Sequence, residues 1–193
     1  MKKIPEFSNQ IGRVAGSIFL QYLFWMLFFA IARLIFFGFH AGQLRLGGIS
    51  AGEIAQAFYH ALKLDIATAS YFMVFPVFLI IIRLVLPFMN ITGLNRIYTM
   101  VVVFLYALIT AGETGLYAEW KTKLTMKALI YLKNPSEVYN SAETANVISL
   151  SAMVVLLTAF SVFIYRKTVE KKLKRIGKNY WIAGFLFLAG LPM

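Results

Sequence analysis

Cysteine is absent from the chain, which excludes a disulfide framework and any thiolate metal site. Histidine is nearly absent: His40 and His60 are the two imidazoles, without metal-ligand spacing. A Ser-His-Asp set cannot be argued from them, and no Gly-rich phosphate loop is present. Acids are scarce, 8 against 19 Lys and Arg, for a net charge of +11. In a soluble protein such a charge would point to nucleic acid; here its placement argues otherwise. Charge of either sign is missing from several runs of about 20 residues, each the length needed to cross roughly 30 Å of hydrocarbon.

What remains is apolar. The chain of 193 residues is 60% hydrophobic and 16% aromatic, whereas soluble domains hold about 45–50% apolar residues. The ten-residue alternation of a transmembrane barrel does not occur. The expected class is an all-α membrane protein: a five-span helical bundle with short interfacial helices on its outer face. The expected spans are 16–37, 66–86, 97–116, 147–165 and a fifth, 180–193, that is cut short. Pro76 lies inside the second, where a kink is expected, and Pro87 ends it. Lys2 and Lys3 before an apolar run, with Ala30-Ile31-Ala32 inside it, also fit a cleaved secretory signal. The run continues through Leu34-Ile35-Phe36-Phe37, which favours an uncleaved span.

Basic residues set the expected direction. Lys2, Lys3 and Arg13 precede span one, Arg96 follows span two, and Arg166, Lys167, Lys171, Lys172, Lys174, Arg175 and Lys178 follow span four with Glu170 as their one acid. On the opposite side Arg45, Lys63, Lys121, Lys123, Lys127 and Lys133 are matched by Glu53, Asp65, Glu113, Glu119, Glu137 and Glu143. The basic side is read as cytoplasmic in a bacterial inner membrane, with the N-terminus inside and the C-terminal end directed outward. The run 166–178 is read as a topology anchor. Val169, Leu173 and Ile176 recur in it at helical spacing, with Gly177 as the stop.

Two external segments look too structured to be loops. Ser50 and Glu53 form a capping-box pattern, followed by an apolar face of Ile54, Ala57, Phe58, Ala61 and Leu62, after a turn at Gly47-Gly48. This predicts a short interfacial helix. The second, 117–144, carries Tyr117, Glu119 and Trp120, an apolar run from Thr125 to Leu132, and Asn134-Pro135-Ser136-Glu137 opening another helix. Tyr117, Glu119, Trp120, Pro135 and Glu137 are the expected interfacial platform.

Three charges fall near the outer ends of spans: Arg33, Asp65 and Glu113. Either Arg33 snorkels and the acids are wetted, or the three form a polar pocket that holds an anionic lipid headgroup. Arg83, near the inner end of span two, is read as a snorkelling residue. Gly12-x-x-x-Gly16 and Gly38-x-x-x-Gly42 match the small-residue packing pattern weakly. Asn90-Ile91-Thr92 fits a glycosylation sequon on the cytoplasmic side.

Lys63-Leu64-Asp65 entering a span, followed by Ala67-Thr68-Ala69-Ser70-Tyr71, resembles the second helix of lipoteichoic acid synthase-like proteins. Glu113, Leu116-Tyr117-Ala118-Glu119-Trp120, Lys123, Ala128-Leu129, Tyr131-Leu132 and Asn134-Pro135-Ser136-Glu137-Val138 resemble the segment between that family's third and fourth spans. The wording is most similar to the sulfatase-like branch of Bacteroidetes, and the resemblance extends over nearly the whole chain. It implies a membrane domain joined to an external alkaline-phosphatase/sulfatase-type domain. That domain would carry a Thr nucleophile and a divalent metal, usually manganese, and transfer phosphoglycerol-type groups from phosphatidylglycerol-type lipids. No residue of this chain matches the nucleophile or the metal ligands, so no catalytic residue and no cofactor is assigned to it. The expected role is membrane anchor and lipid-presenting domain, inactive alone, with anionic lipids and the external domain as partners and no nucleic acid. A stand-alone scaffold or a transporter subunit is the alternative; the latter calls for paired discontinuous helices or an internal repeat, and neither is visible.

Overall fold

The computed structural model describes residues 3–86, 88–120 and 144–190, and the side chains of 8–86, 88–117 and 146–188. Every described element is helical: α1 (Lys3–Phe39), α2 (Ala41–Leu46), α3 (Ala51–Val85), α4 (Ile91–Trp120), α5 (Thr144–Lys167), α6 (Val169–Leu173) and α7 (Tyr180–Gly190). Four stretches are long and apolar enough to cross a membrane: Ser8–Phe39, Ala51–Val85, Ile91–Tyr117 and Asn146–Leu173. The protein therefore has the character of a multi-pass membrane protein. The first four expected spans fall on these stretches. The fifth is described over 11 residues, about 16 Å of helix, which is too little to cross alone.

The core is read as one stripe per helix. On α1, Val14, Ser17, Gln21, Phe24, Trp25, Phe28, Phe29 and Ala32 are buried at intervals of three and four, the spacing that keeps side chains on one face. Phe19, Leu27 and Leu34 on the other face are exposed. Both faces are apolar because the bundle and the lipid are apolar alike, so polarity does not mark the interface. On α3 the stripe is Asp65, Ala69, Met73, Pro76, Ile80 and Leu84; on α5 it is Met153, Leu157, Ser161 and Tyr165. On α4 the buried positions are the more polar or smaller ones, Asn95, Thr99, Val103, Ala107, Thr110 and Thr114, while Ile97, Phe104, Leu105 and Leu108 face outward. Trp25 is fully buried at the centre, edge-on to Phe72 at 5.1 Å and to Phe24 at 5.1 Å. α4 packs most extensively against α5, α1 lies against α3 and α6, and α7 lies along α3. A Cβ placed on Gly115 would come within 2.9 Å of Leu150 Cδ1, so a larger residue there would require the Leu150 side chain to shift.

Two local readings change. The capping box forms as expected: Ser50 Oγ accepts from Glu53 N at 3.3 Å and Glu53 Oε2 accepts from Ser50 N at 2.7 Å. The helix it opens does not stop before span two, however; it continues to Val85 as one rod. Nothing between Leu62 and Ile66 breaks a helix, and Asp65, the charge that might have marked a boundary, is paired. α3 also passes through Pro76 without interruption. The run after span four breaks at Thr168, whose Oγ1 donates to Ile164 O at 2.7 Å, and its helix ends at Leu173, not at Gly177. Val169, Leu173 and Ile176 are all buried, so the face was read correctly although the helix is shorter.

Trp25→Ala should lower stability by about 3–5 kcal/mol, the range for a large buried aromatic. Phe19→Ala, on the lipid side of the same helix, should cost less than about 1 kcal/mol. Equilibrium unfolding in mixed detergent measures both; similar losses would mean that α1 buries a different face.

Candidate functional site

The end of the bundle away from the basic run 166–178 is organised by Arg33 on α1 and Asp65 on α3. Arg33 Nη1 donates to Asp65 Oδ2 at 2.8 Å and Nη2 donates to Oδ1 at 2.9 Å. This is the parallel two-bond geometry that makes Arg–carboxylate pairs strong and directional. The side chains are 20% and 10% exposed, so little water competes for them. Helical periodicity aims both inward: Arg33 follows Ala32 at the end of the α1 stripe, and Asp65 begins the α3 stripe. The guanidinium carbon also lies 5.3 Å from the centre of the Phe58 ring, within reach of a cation–π attraction. Phe58 in turn touches Phe37 at 5.8 Å.

Beside the pair opens a groove of about 350 Å³, walled by Leu27, Ala30, Tyr59 and Leu62, with Arg33 and Asp65 in its lining. Its walls are apolar, of a kind that takes up hydrocarbon, and two charges meet it at one place. Arg33 uses two of a guanidinium's five N–H donors on Asp65, so donors remain for a further acceptor.

Of the three charges picked out in sequence, two are brought together. Glu113 is half-buried on α4, and among the described residues it forms no ion pair with Arg33. Tyr117 packs its ring against His40 at 4.8 Å and Phe36 at 5.3 Å, tying the end of α4 to the end of α1. His40 is buried there. Glu119 and Trp120 close α4, with side chains outside the described ones; Pro135 and Glu137 lie outside the described residues. Among the described residues no group of three or more His, Cys, Asp or Glu is placed to hold a metal ion.

The basic end holds polar contacts between helices that the sequence reading did not propose; of their residues, Gln21, Asn95 and Tyr165 were not singled out at all. Asn95 on α4 exchanges amide hydrogen bonds with Gln21 on α1, at 2.9 and 3.3 Å, and its Nδ2 also donates to Tyr165 Oη on α5 at 2.8 Å. All three are fully buried. Glu170, the one acid of the basic run, is 4% exposed at its side chain and is gripped by Arg96 and, at 2.9 Å, by Lys174. Arg83 does not simply snorkel: Nε donates to Ile176 O at 3.3 Å and Nη1 to Met89 O at 3.1 Å. Asn90 caps α4, accepting from Gly93 N at 3.1 Å, which gives the sequon asparagine a structural task. The signal for these residues was an uncharged amide or a lone acid in surroundings that disfavour it.

Comparison with family models, with curated proteins and with solved structures finds no match.

Asp65→Asn or Arg33→Gln alone should destabilise the bundle by about 2–3 kcal/mol, because each strands a mostly buried charge. The double variant Arg33→Met, Asp65→Leu should recover most of that loss, since a well-packed apolar pair often equals a buried ion pair. A double-mutant cycle in detergent measures the coupling; strictly additive losses would show that the two residues act independently.

Proposed function

We propose that this chain is the membrane domain of a lipoteichoic acid synthase-like, sulfatase-related enzyme, and that its share of the work is to anchor the protein and present a lipid. The observation that carries the reading is the apolar groove with the Arg33–Asp65 pair in its lining, where one acyl chain and one headgroup phosphate could be held together. The resemblance of 63–71 and 113–138 to that family supports it. So does α7, which leaves the C-terminal end of α3, where Asn179 N donates to Leu84 O at 2.9 Å, and runs back along α3 toward the groove end. In this reading the groove end faces outward and the basic end is cytoplasmic in a bacterial inner membrane. The phosphoglycerol chemistry and its divalent metal, usually manganese, belong to an external domain outside these residues. The donors of Arg33 not used by Asp65 would bind a phosphate oxygen of a phosphatidylglycerol-type lipid, and Leu27, Ala30 and Leu62 would flank its chain. A transporter subunit is disfavoured because none of the first four expected spans is broken along its length, without the paired breaks of that class.

The absence of cysteine makes single-site labelling clean. A fluorophore on Tyr59→Cys, at the groove wall, should be quenched more strongly by brominated phosphatidylglycerol than by brominated phosphatidylcholine at equal mole fraction. Ala30→Trp, which fills the groove without touching the ion pair, should remove the difference. Equal quenching by the two lipids in the unfilled groove would overturn the proposal. For orientation, Leu46→Cys should react with an impermeant maleimide added to intact spheroplasts, and Lys171→Cys only after permeabilisation; the reverse pattern would invert the topology.

A further inference from the structure

The second cavity lies at the opposite end of the bundle and is built differently. It measures about 460 Å³ and is lined by Ser8, Asn9, Gly12 and Arg13 of α1 with Lys172 and Arg175 of the segment after α5. Among the described residues three cations and two neutral polar side chains line it, and no acid does. The one acid of the neighbouring run, Glu170, is already held by Arg96 and Lys174. Among the described residues Arg13, Lys172 and Arg175 form no ion pair, and none of those residues compensates their charge within the groove.

The walls are fixed from both sides. Gln10 Nε2 donates to Gly177 O at 2.6 Å, and Arg13 Nη1 reaches Arg175 O at 3.4 Å. Ile176, between them, is buried against Val14. Lys172 lies along α1 with Nζ 3.1 Å from the place a Cβ on Gly16 would take, and a Cβ on Gly12 would meet nothing within 4 Å. The two glycines thus have separate uses: Gly16 admits the lysine, and Gly12 leaves the groove open. Depth fits as well. The apolar stretch of α1 has 32 residues, about 48 Å of helix, so each end projects beyond about 30 Å of hydrocarbon into the headgroup layer. Basic pockets between helices at this level suit phosphorylated headgroups.

We infer that this groove is a second binding site, specific for a phosphate-bearing anion held by Arg13, Lys172 and Arg175 at the membrane surface of the basic end. It is independent of the groove beside Arg33, and it asks more of these three residues than a topology anchor does, because they converge from two elements on one space. The ligand chemistry is a phosphate mono- or diester, which a phospholipid headgroup or a free phosphate compound could supply.

Native mass spectrometry of the full chain, with short-chain phosphatidylglycerol, short-chain phosphatidylcholine and inorganic phosphate as probes, tests the site. The intact protein should retain phosphatidylglycerol over phosphatidylcholine. The variant Arg13→Gln, Lys172→Gln, Arg175→Gln should weaken that retention at least about tenfold. The control variant Arg166→Gln, Lys167→Gln, Lys171→Gln removes equal charge outside the groove and should shift it less than about twofold. Gly12→Leu keeps a residue favourable to helix and fills the opening; it should reproduce the triple variant with unchanged thermal stability. Every variant is compared in the Ala30→Trp background, which closes the other groove to the same lipid and should itself leave this binding intact. Millimolar inorganic phosphate that displaces the lipid in the intact protein but binds no further in Gly12→Leu would keep the site and assign it to soluble phosphates. Equal losses in the triple variant and its control, or full binding in Gly12→Leu, would overturn the inference.

Discussion

Hydrocarbon offers no water to a polar side chain, so a charged or amide group inside the bundle is strongly favoured to find its partner within the protein. That constraint accounts for the two ends of this molecule. Arg33 and Asp65 sit on different helices and satisfy each other through two parallel bonds. Gln21, Asn95 and Tyr165 do the same without charge on three helices. Apolar packing between them cannot choose a register alone, because lipid solvates leucine as well as a neighbouring helix does. The polar contacts are directional, and sliding one helix past another by a residue would leave them unpaired. They therefore set which faces of α1, α3, α4 and α5 meet, and the Trp25 cluster fills the space so defined.

This division explains what could be read before the structure was known. Long uncharged runs mark spans without reference to any partner, and the four long apolar stretches coincide with four of the expected spans. The capping box at Ser50 is local chemistry and formed as read. Pairing is not local. Arg33 and Asp65 could be nominated because charge is rare at that depth, but only the helix packing shows that these two pair directly and that Glu113, among the described residues, makes no ion pair with Arg33. Gln21, Asn95 and Tyr165 were overlooked because an amide or a phenol in a span carries a weaker signal than a charge. Their arrangement on stripes of period three to four was available in the sequence, yet α4 hides it: its inward face is the polar one, the reverse of a soluble helix. The boundary expected between an interfacial helix and span two failed for a related reason. A charged residue ends a span only if it stays solvated, and Asp65 is neutralised by its neighbour.

The basic run after α5 shows how composition and architecture can point to different tasks. Counted as charges, Arg166 to Lys178 form one positive cluster. Placed in space, they separate. Lys174 joins Arg96 on Glu170, Lys167 lies 4.3 Å from the Phe163 ring, and Lys178 lies 4.7 Å from the Tyr180 ring. Lys172 and Arg175 turn toward α1. Glu170 is the residue that makes this sorting possible. By engaging Arg96 and Lys174 it holds α6 against α4, and its neighbours along the chain are left to face the groove.

The two grooves differ in what they can discriminate, and the difference follows from where their charge stands. At the Arg33 end the cation is already paired, so net charge there is close to zero and long-range attraction for anions is weak; selection must rest on shape and on the unused guanidinium donors. At the basic end Arg13, Lys172 and Arg175 form no ion pair among the described residues, and attraction from such charges reaches about 8–10 Å at ordinary ionic strength. Raising salt should therefore weaken occupancy of the basic groove strongly and that of the apolar groove little. A ligand that bound at the basic groove would bridge α1 to the segment after α6, the same two elements already joined by Gln10 and Gly177, and would add to the stiffness of that end. The other end is held by one ion pair and by the aromatic contacts of Phe36, His40 and Tyr117.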